Sequence, residues 1–540
     1  MMQKTFNLLD ERWIMTTDLQ GNEATLSLTE VFDKAHDIKS LSGETAAQDL
    51  ALTRLLLGIL YPVYIRTDEY VELFENESID ETVRFWNKIW NKKRFTNEVS
   101  DYLESHRDGF WLFHGQKPFF QVSSIGKGSD YSVSKMIGEL VESNNKLLLF
   151  PVRSGKGKES IAYHEAARWL VYLSYFDDAS AKKVNKNADT MSVGWLGKLC
   201  PVYAAGKNLF QTLLLNLVLL NDDKPWEDGV AAWERKEPNT GERTPIAQPA
   251  SVIELYSFQA RRIKLHAENE KVIGYTMIGG DQFSAEGYLR EPMTMWKKQK
   301  GKAGQSDTFV PPSNLARNPS KQMWRDLAPL LLKSEDDEPP GIIKWLGRLS
   351  DAVDLDNVTI NNLSVKYGNM QNGIDEIWSD SISVNGALLA SLNKEWRIRI
   401  TGLVEITDSL VKTLGRLASN LDKAAGSENG KTSYERAMEL CYAELDIPFR
   451  DWLSCKNPNL DDIDDACSAW LRTAEKIILQ QGEALVDKAG DSAFKGRVVK
   501  ELGKEEYYSS PRVYGWFKRS LYTKLKEKGY GPAKTESSAE

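Results

Sequence analysis

Cysteine is scarce in this chain, with four residues among 540, at positions 200, 441, 455 and 467. None stands in a CxxC pair, so a structural zinc lacks its close ligand pairs and a disulfide framework is not expected in a chain this long. Reduced, mostly buried thiols in a cytoplasmic protein are the expectation. Histidine is nearly as rare: His36, His106, His114, His164 and His266 are scattered. His164-Glu165 opens like a zincin HExxH motif, but position 168 is Arg, so the second ligand is missing and no metal is expected. Long apolar runs are absent too. Residues 50–65 are interrupted by Arg54, and residues 212–220 are too few. Neither reaches the ~20 apolar residues that span a bilayer, and both read as buried helices, with no membrane expected. The N-terminus shows no apolar core followed by a small-residue cleavage site, so no secretory signal is expected. An excess of basic charge is also missing: 69 Lys plus Arg stand against 77 Asp plus Glu, a net charge of −8. That balance argues against a protein that coats nucleic acid.

What is present belongs to a folded globular protein. Hydrophobic residues make up 41% and charged residues 27%, with 16 Trp, 20 Tyr and 18 Phe. The length implies two or more domains. The chain up to residue 385 mixes short apolar runs with turn signals such as Gly279-Gly280 and Pro311-Pro312. Residues 271–278 and 358–367 read as strands, and residues 160–175 as a helix. The fold class expected is α+β, with this large irregular body, residues 1–385, followed by an antiparallel four-helix bundle, residues 386–530.

The bundle is read from spacing. Leu403, Ile406, Leu410, Leu414, Leu417 and Leu421 step by three and four along one helix face. This first helix is expected over about 391–425, stopping at Gly426. A second follows from about 433, bent at Pro448. Asp461 and Asp462 open a third, and the fourth runs from near Pro511 to before Gly529. Short polar loops are expected between them, and residues 531–540 read as a disordered tail.

Residues 425–432, Ala-Gly-Ser-Glu-Asn-Gly-Lys-Thr, come within one residue of a phosphate-binding GxxxxGK[ST] loop. Position 425 is Ala, and a helix precedes the loop where a strand is required. A nucleotide-binding enzyme built on Gly430-Lys431-Thr432 stays open as an alternative. No GxSxG motif or catalytic dyad is found, so no catalytic residue is assigned. Basic residues cluster at Arg153, Lys156 and Lys158, at Lys182, Lys183 and Lys186, and at Lys297, Lys298, Lys300 and Lys302. Residues 511–530 carry six basic residues and one acid, interleaved with Tyr514, Trp516, Phe517 and Tyr522. Basic loops suit phosphates and aromatics can stack on bases, which leaves nucleic-acid binding open.

Specificity enters at Tyr367-Gly-Asn-Met-Gln-Asn-Gly-Ile-Asp-Glu-Ile-Trp-Ser-Asp380. This segment resembles the signature of the large subunit of the type I-E CRISPR surveillance complex Cascade, the CasA family. Matches continue in order along the chain: Phe6-Asn-Leu-Leu-Asp-Glu-Arg-Trp-Ile14, Phe113-His-Gly-Gln-Lys-Pro-Phe-Phe-Gln121, Gly206-Lys-Asn-Leu-Phe-Gln-Thr-Leu-Leu-Leu-Asn216, Met323-Trp-Arg-Asp-Leu-Ala-Pro-Leu330, Asn420-Leu-Asp-Lys-Ala-Ala-Gly426 and Leu445-Asp-Ile-Pro-Phe-Arg-Asp-Trp-Leu453. The resemblance implies a non-catalytic subunit without cofactors. In the family, guide RNA reads the target by pairing while this subunit checks the flanking motif (PAM) in the duplex.

The implied partners are double-stranded target DNA with a PAM, the CRISPR guide RNA, the backbone, small and handle-binding subunits, and the helicase-nuclease. The resemblance assigns a duplex wedge to the hairpin tip Asn369, Met370, Gln371 and Asn372, with Gln371 as the wedge. It puts the PAM-side loop at Ser180, Ala181, Lys182 and Lys183, where the family's glycines are missing. The family's lysine finger falls near residues 279–283, Gly-Gly-Asp-Gln-Phe, which contain no lysine. Phe150, Arg153 and Lys156 match a loop that docks on the guide-RNA handle. The bundle would meet displaced DNA and neighbouring subunits through a basic face, Lys518, Arg519 and Lys524. A purely architectural subunit remains a further alternative.

Overall fold

The computed structural model describes residues 4–125, 128–138, 140, 151–179, 192–236, 249–281, 291–301, 307–311, 321–353, 355, 357–501 and 504–527. The tail at 531–540 lies outside them. The chain forms two compact units: Met1–Pro319 with Lys333–Asp354 and Val358–Ser381, and Ser320–Leu332 with Leu355–Asn357 and Ile382–Glu540.

Helix Ala46–Ile65 runs through the first unit. Its apolar residues face all directions, as expected of a helix wrapped by protein on every side. Thr45 caps it by accepting the Gln48 amide. Arg54, the charge that interrupts the apolar run, is fully buried and forms a two-pronged pair with Glu291 at 2.6 and 2.9 Å. The Trp195 indole donates to the same carboxylate, and the Arg54 guanidinium lies 3.7 Å from the Tyr256 ring centre. The two-pronged pair offsets much of the cost of burying this charge, while its Nε–H is left without a hydrogen-bond partner. Among the described residues, no single helix is long and apolar enough to cross a membrane.

The helix expected over 212–220 is shorter and lies earlier, Leu209–Asn216. The buried Asn216 amide ends it by pairing with the backbone N–H and C=O of Ala204 at 2.9 and 2.6 Å. Beyond it, the Tyr61 hydroxyl and Trp226 indole donate to the Val218 carbonyl, and the Tyr70 hydroxyl to that of Leu219. These side chains take carbonyls that a helix would need for itself.

Two sheets of this unit matter for the site. In one, Lys271–Gly279 pairs antiparallel with Arg261–Glu268 on one side and with Ser129–Ser132 and Ile161–Ala162 on the other. In the other, the central strand Asn357–Tyr367 lies between Val202–Ala205 and Ile374–Asn385. Helix Tyr163–Phe176 packs on Ala46–Ile65 and delivers the chain to Asp177.

In the second unit, helices Lys394–Ala425, Gly430–Ser454, Ile463–Lys488 and Ser510–Glu527 form the C-terminal helical region. The first packs against each of the other three. Gly426 ends it in the left-handed region at φ +82°, and Asp462 caps the third by accepting the amides of Asp464 and Asp465. The second helix starts at Gly430, near the expected 433, and carries Pro448 inside it. One expectation needs correction. The connection between the third and fourth helices is no short loop: it holds the helix Gly490–Lys495 and the hairpin Arg497–Glu501/Lys504–Tyr508. Arg497 anchors that hairpin by donating to the carbonyls of Ala424 and Ala425, the exposed end of the first helix. Trp324 belongs to this unit too, stacked on Phe449 with its indole on Asp446 at 2.9 Å.

Candidate nucleic-acid interface

The strands Asn357–Tyr367 and Ile374–Asn385 are joined by a turn at 368–373. Its backbone bonds run from Gly368 N–H to the Gly373 carbonyl, from Gln371 N–H to that of Gly368 and from Asn372 N–H to that of Asn369. Gly373 takes φ +71°, which glycine adopts freely. Met370 and Gln371 sit at φ +56° and +59°, a left-handed pair that side chains disfavour. The strained turn pushes side chains outward. Asn369 and Asn372 are exposed, and Met370 is 87% exposed, while Gln371 is half-buried.

The tip rests on a built root. The Tyr367 hydroxyl donates to the Phe176 carbonyl at 2.7 Å, and burial pushes that phenol well above its ordinary pKa. The Gly373 N–H donates to the Asp178 carboxylate at 2.7 Å, and the Ala179 N–H to the Gln371 carbonyl at 3.0 Å. Three hydrogen bonds thus tie the hairpin to residues 176–179. Asp178 is buried and also pairs with Lys135 on the short helix Val133–Met136.

Beneath it lies the fully buried Arg261. Its guanidinium donates to the Asp177 carboxylate at 2.5 Å and to the carbonyls of Asp178 and Ser192 at 2.8 Å each. The Gly194 N–H adds a bond to the Asp177 carbonyl at 2.8 Å. One arginine therefore joins residues 177–178 to residues 192–194. Burial, with the Arg261 charge, pulls the nearby Lys198 ammonium down to about 8. The adjacent Arg262 pairs with buried Asp281 at 2.8 Å, just beyond Gly279-Gly280 where a lysine finger was sought. Gln282 and Phe283 lie outside the described residues.

The other sequence-derived residues fare variously. Ser180, Ala181, Lys182 and Lys183 lie outside the described residues, immediately after the Ala179 that touches the tip; so do Phe150, Lys186 and Lys302. Arg153 pairs with Glu165, the acid of the zincin-like pair, and Lys156 is exposed on the turn Gly155–Lys158. Arg168 binds Glu44 and the Trp13 carbonyl, a structural duty where a zincin would place histidine. On the last helix Lys518 and Arg519 are exposed and Lys524 half-exposed, with the Lys518 ammonium 4.9 Å from the Tyr514 ring. Gly430-Lys431-Thr432 follows a helix and itself starts one, and Lys431 extends toward Glu435 at 4.0 Å. No strand feeds that loop, which departs from a phosphate-binding site. Cys200, Cys441 and Cys467 are buried and Cys455 exposed, and no metal-ligand cluster occurs among the described residues. Gln121 is a structural pin, its amide bonding the Leu112 carbonyl at 2.6 Å and accepting the Leu265 N–H at 2.9 Å.

Sequence reasoning missed Asp178 and Arg261. The Asp178–Gly373 bond bridges 195 positions and the Arg261–Asp177 bond 84, so no local pattern announces them.

A mixed body of helices and strands with a C-terminal helical region is the fold of a CRISPR-associated protein. The crystal structure of Thermobifida fusca Cse1 matches it with a TM-score of 0.81 at 28% identity, over 96% of this chain and 98% of that one. The family model described as CRISPR-associated protein Cse1 matches residues 7–481, and the chain belongs to that family. A CRISPR-associated protein CasA/Cse1 of Thermus thermophilus is 27% identical over 335 residues. The alignment spans 60% of this chain and 60% of that relative's length. A chain of a CRISPR RNA-guided surveillance complex shares the fold at a TM-score of 0.68 and 16% identity, over 97% of this chain and 100% of that chain.

Proposed function

We propose that this chain is the DNA-recognition subunit of a type I-E CRISPR complex, reading the PAM in double-stranded DNA and starting strand separation beside it. Family membership supports the CRISPR assignment, and a chain of the same fold sits in an RNA-guided surveillance complex. In this reading guide RNA reads the target sequence by pairing, and the protein acts on the duplex through shape and a few local contacts. It has no catalytic role, meets the neighbouring subunits and guide RNA, and recruits the helicase-nuclease that degrades the target.

One observation carries the DNA-opening part: an exposed, rigidly rooted tip, Asn369 to Asn372, tied at Ala179 to the start of the loop assigned to the PAM. An unbranched apolar side chain such as Met370 can slip between base steps, as minor-groove proteins do, while the Gln371 amide can meet an unstacked base edge. The basic residues Lys182 and Lys183, and Lys518, Arg519 and Lys524 on the last helix, supply phosphate contacts.

The test uses the assembled complex with its guide RNA. Gln371→Ala and Met370→Ala are each expected to slow strand opening beside the PAM by about tenfold, the equivalent of ~1.4 kcal/mol. Guide-RNA assembly should be unchanged. Wild-type opening in both variants would leave only the architectural role.

A further inference from the structure

Residues 176–179 do more than end a helix: they grip the far side of the tip hairpin. Three bonds join the two: the Tyr367 hydroxyl donates to the Phe176 carbonyl, the Gly373 amide to the Asp178 carboxylate, and the Ala179 amide to the Gln371 carbonyl, at 2.7, 2.7 and 3.0 Å. The only carboxylate among these contacts belongs to Asp178, whose side chain is 3% exposed and faces the Lys135 ammonium as well. A buried carboxylate loses much of its hydration, so it holds strongly to the charge and amide that replace it. Arg261, with no exposed side-chain surface, fixes the Asp178 backbone carbonyl and the neighbouring Asp177 carboxylate. The Asp178 carboxylate therefore cannot leave the Gly373 amide by swinging away without also giving up its ion pair with Lys135.

The tip needs such a grip. Met370 and Gln371 both adopt left-handed backbone, which side chains disfavour relative to a relaxed turn. A turn whose Gly373 N–H and Gln371 C=O are both held from outside keeps its shape.

We propose that Asp178 is a positioning residue for duplex opening: its buried carboxylate, seated between Lys135 and the Gly373 amide, holds the strained tip in the projecting conformation that meets DNA. The inference rests on the reading of the tip as the duplex-contacting element. It adds that the tip is preorganised by a clamp at 176–179, and so acts without refolding on contact.

The experiment compares complexes carrying Asp178→Ala, Asp178→Asn and Tyr367→Phe on two targets. One target is an intact PAM-containing duplex, and the other has the first base pairs beside the PAM already mismatched into a bubble. Opening is followed by 2-aminopurine fluorescence in the target strand. Asp178→Ala should slow opening of the intact duplex about tenfold, the scale of one lost hydrogen bond to a charged group. The bubble should open within about twofold of wild type, because strand separation no longer depends on the tip. Asp178→Asn keeps an oxygen for the Gly373 amide and should recover part of the loss.

Tyr367→Phe removes only the hydroxyl that binds Phe176, preserves packing and should show the same duplex-only defect in milder form. It carries the test if Asp178→Ala fails to enter the complex. Equal slowing on both targets would mean general damage and overturn the inference. So would wild-type opening by both Asp178→Ala and Tyr367→Phe, or by Tyr367→Phe alone if Asp178→Ala does not assemble. If Met370→Ala and Gln371→Ala slow opening while the clamp variants do not, the clamp fails and the tip reading stands. If neither tip variant slows opening, the tip reading itself fails.

Discussion

Asp49 sits on the first turn of helix Ala46–Ile65, beside Glu44 and within bonding distance of the Gly43 amide at 2.7 Å. Burial, and then the Glu44 charge, raise its carboxyl from 3.8 to about 7. The folded chain thus keeps a proton that the unfolded chain releases from about pH 4 upward. Stability falls as pH rises from about 4 to about 7 and levels off above. Asp49→Asn keeps an acceptor for Gly43 and removes the titration. It should raise stability at pH 8 by about 1–2 kcal/mol in thermal or urea unfolding, with the gain vanishing near pH 4. No gain at pH 8 would contradict the buried-acid account. Single residues were unevenly legible. Arg54 stood out as a charge in an apolar run, yet its partner Glu291 lies 237 positions away and no spacing rule connects them. Asp178 was hidden for the same reason. Met370 could be named from the tip motif, but its exposure follows from backbone angles that composition does not encode.

Helices and strands were easier. The three-and-four spacing from Leu403 to Leu421 marks one face of Lys394–Ala425, and a helix that long declares itself because local periodicity and burial agree. The hairpin Arg497–Glu501/Lys504–Tyr508 went unread, since Val498 and Tyr507 remain exposed and blur the alternation that marks a half-buried strand. What secures it lies elsewhere: Arg497 bonds the last carbonyls of the first long helix, at 3.2 and 2.6 Å. A cation there also favours the helix dipole. Arg497→Ala should therefore cost about 1 kcal/mol in urea unfolding of the full chain. Gly426→Ala should cost more, because φ +82° disfavours a side chain and its Cβ would stand 1.7 Å from the Arg497 Nη1 atom. Equal stability of both variants and wild type would remove the cap from the account.

Across the whole molecule the charge balance makes sense only region by region. From residue 391 onward basic and acidic residues number 24 each, so the net −8 belongs to the first 390 residues. A protein that inspects DNA at a tip and a few loops does not need a basic surface throughout, and an acidic remainder discourages stray contacts. The α+β class with its helical C-terminal region was legible from periodicity, and the family from ordered motifs. The root beneath the tip was not, because it is assembled from segments near positions 135, 177, 261 and 373 that only the folded chain brings together. In the function proposed here, this chain starts strand separation beside the PAM. The most direct measurement is permanganate reactivity of target-strand thymines beside the PAM, with guide-RNA complexes assembled with and without this chain. Reactivity that appears only with the chain and only on PAM-containing duplex is the predicted result. Equal reactivity without the chain, or on duplex lacking a PAM, would contradict it.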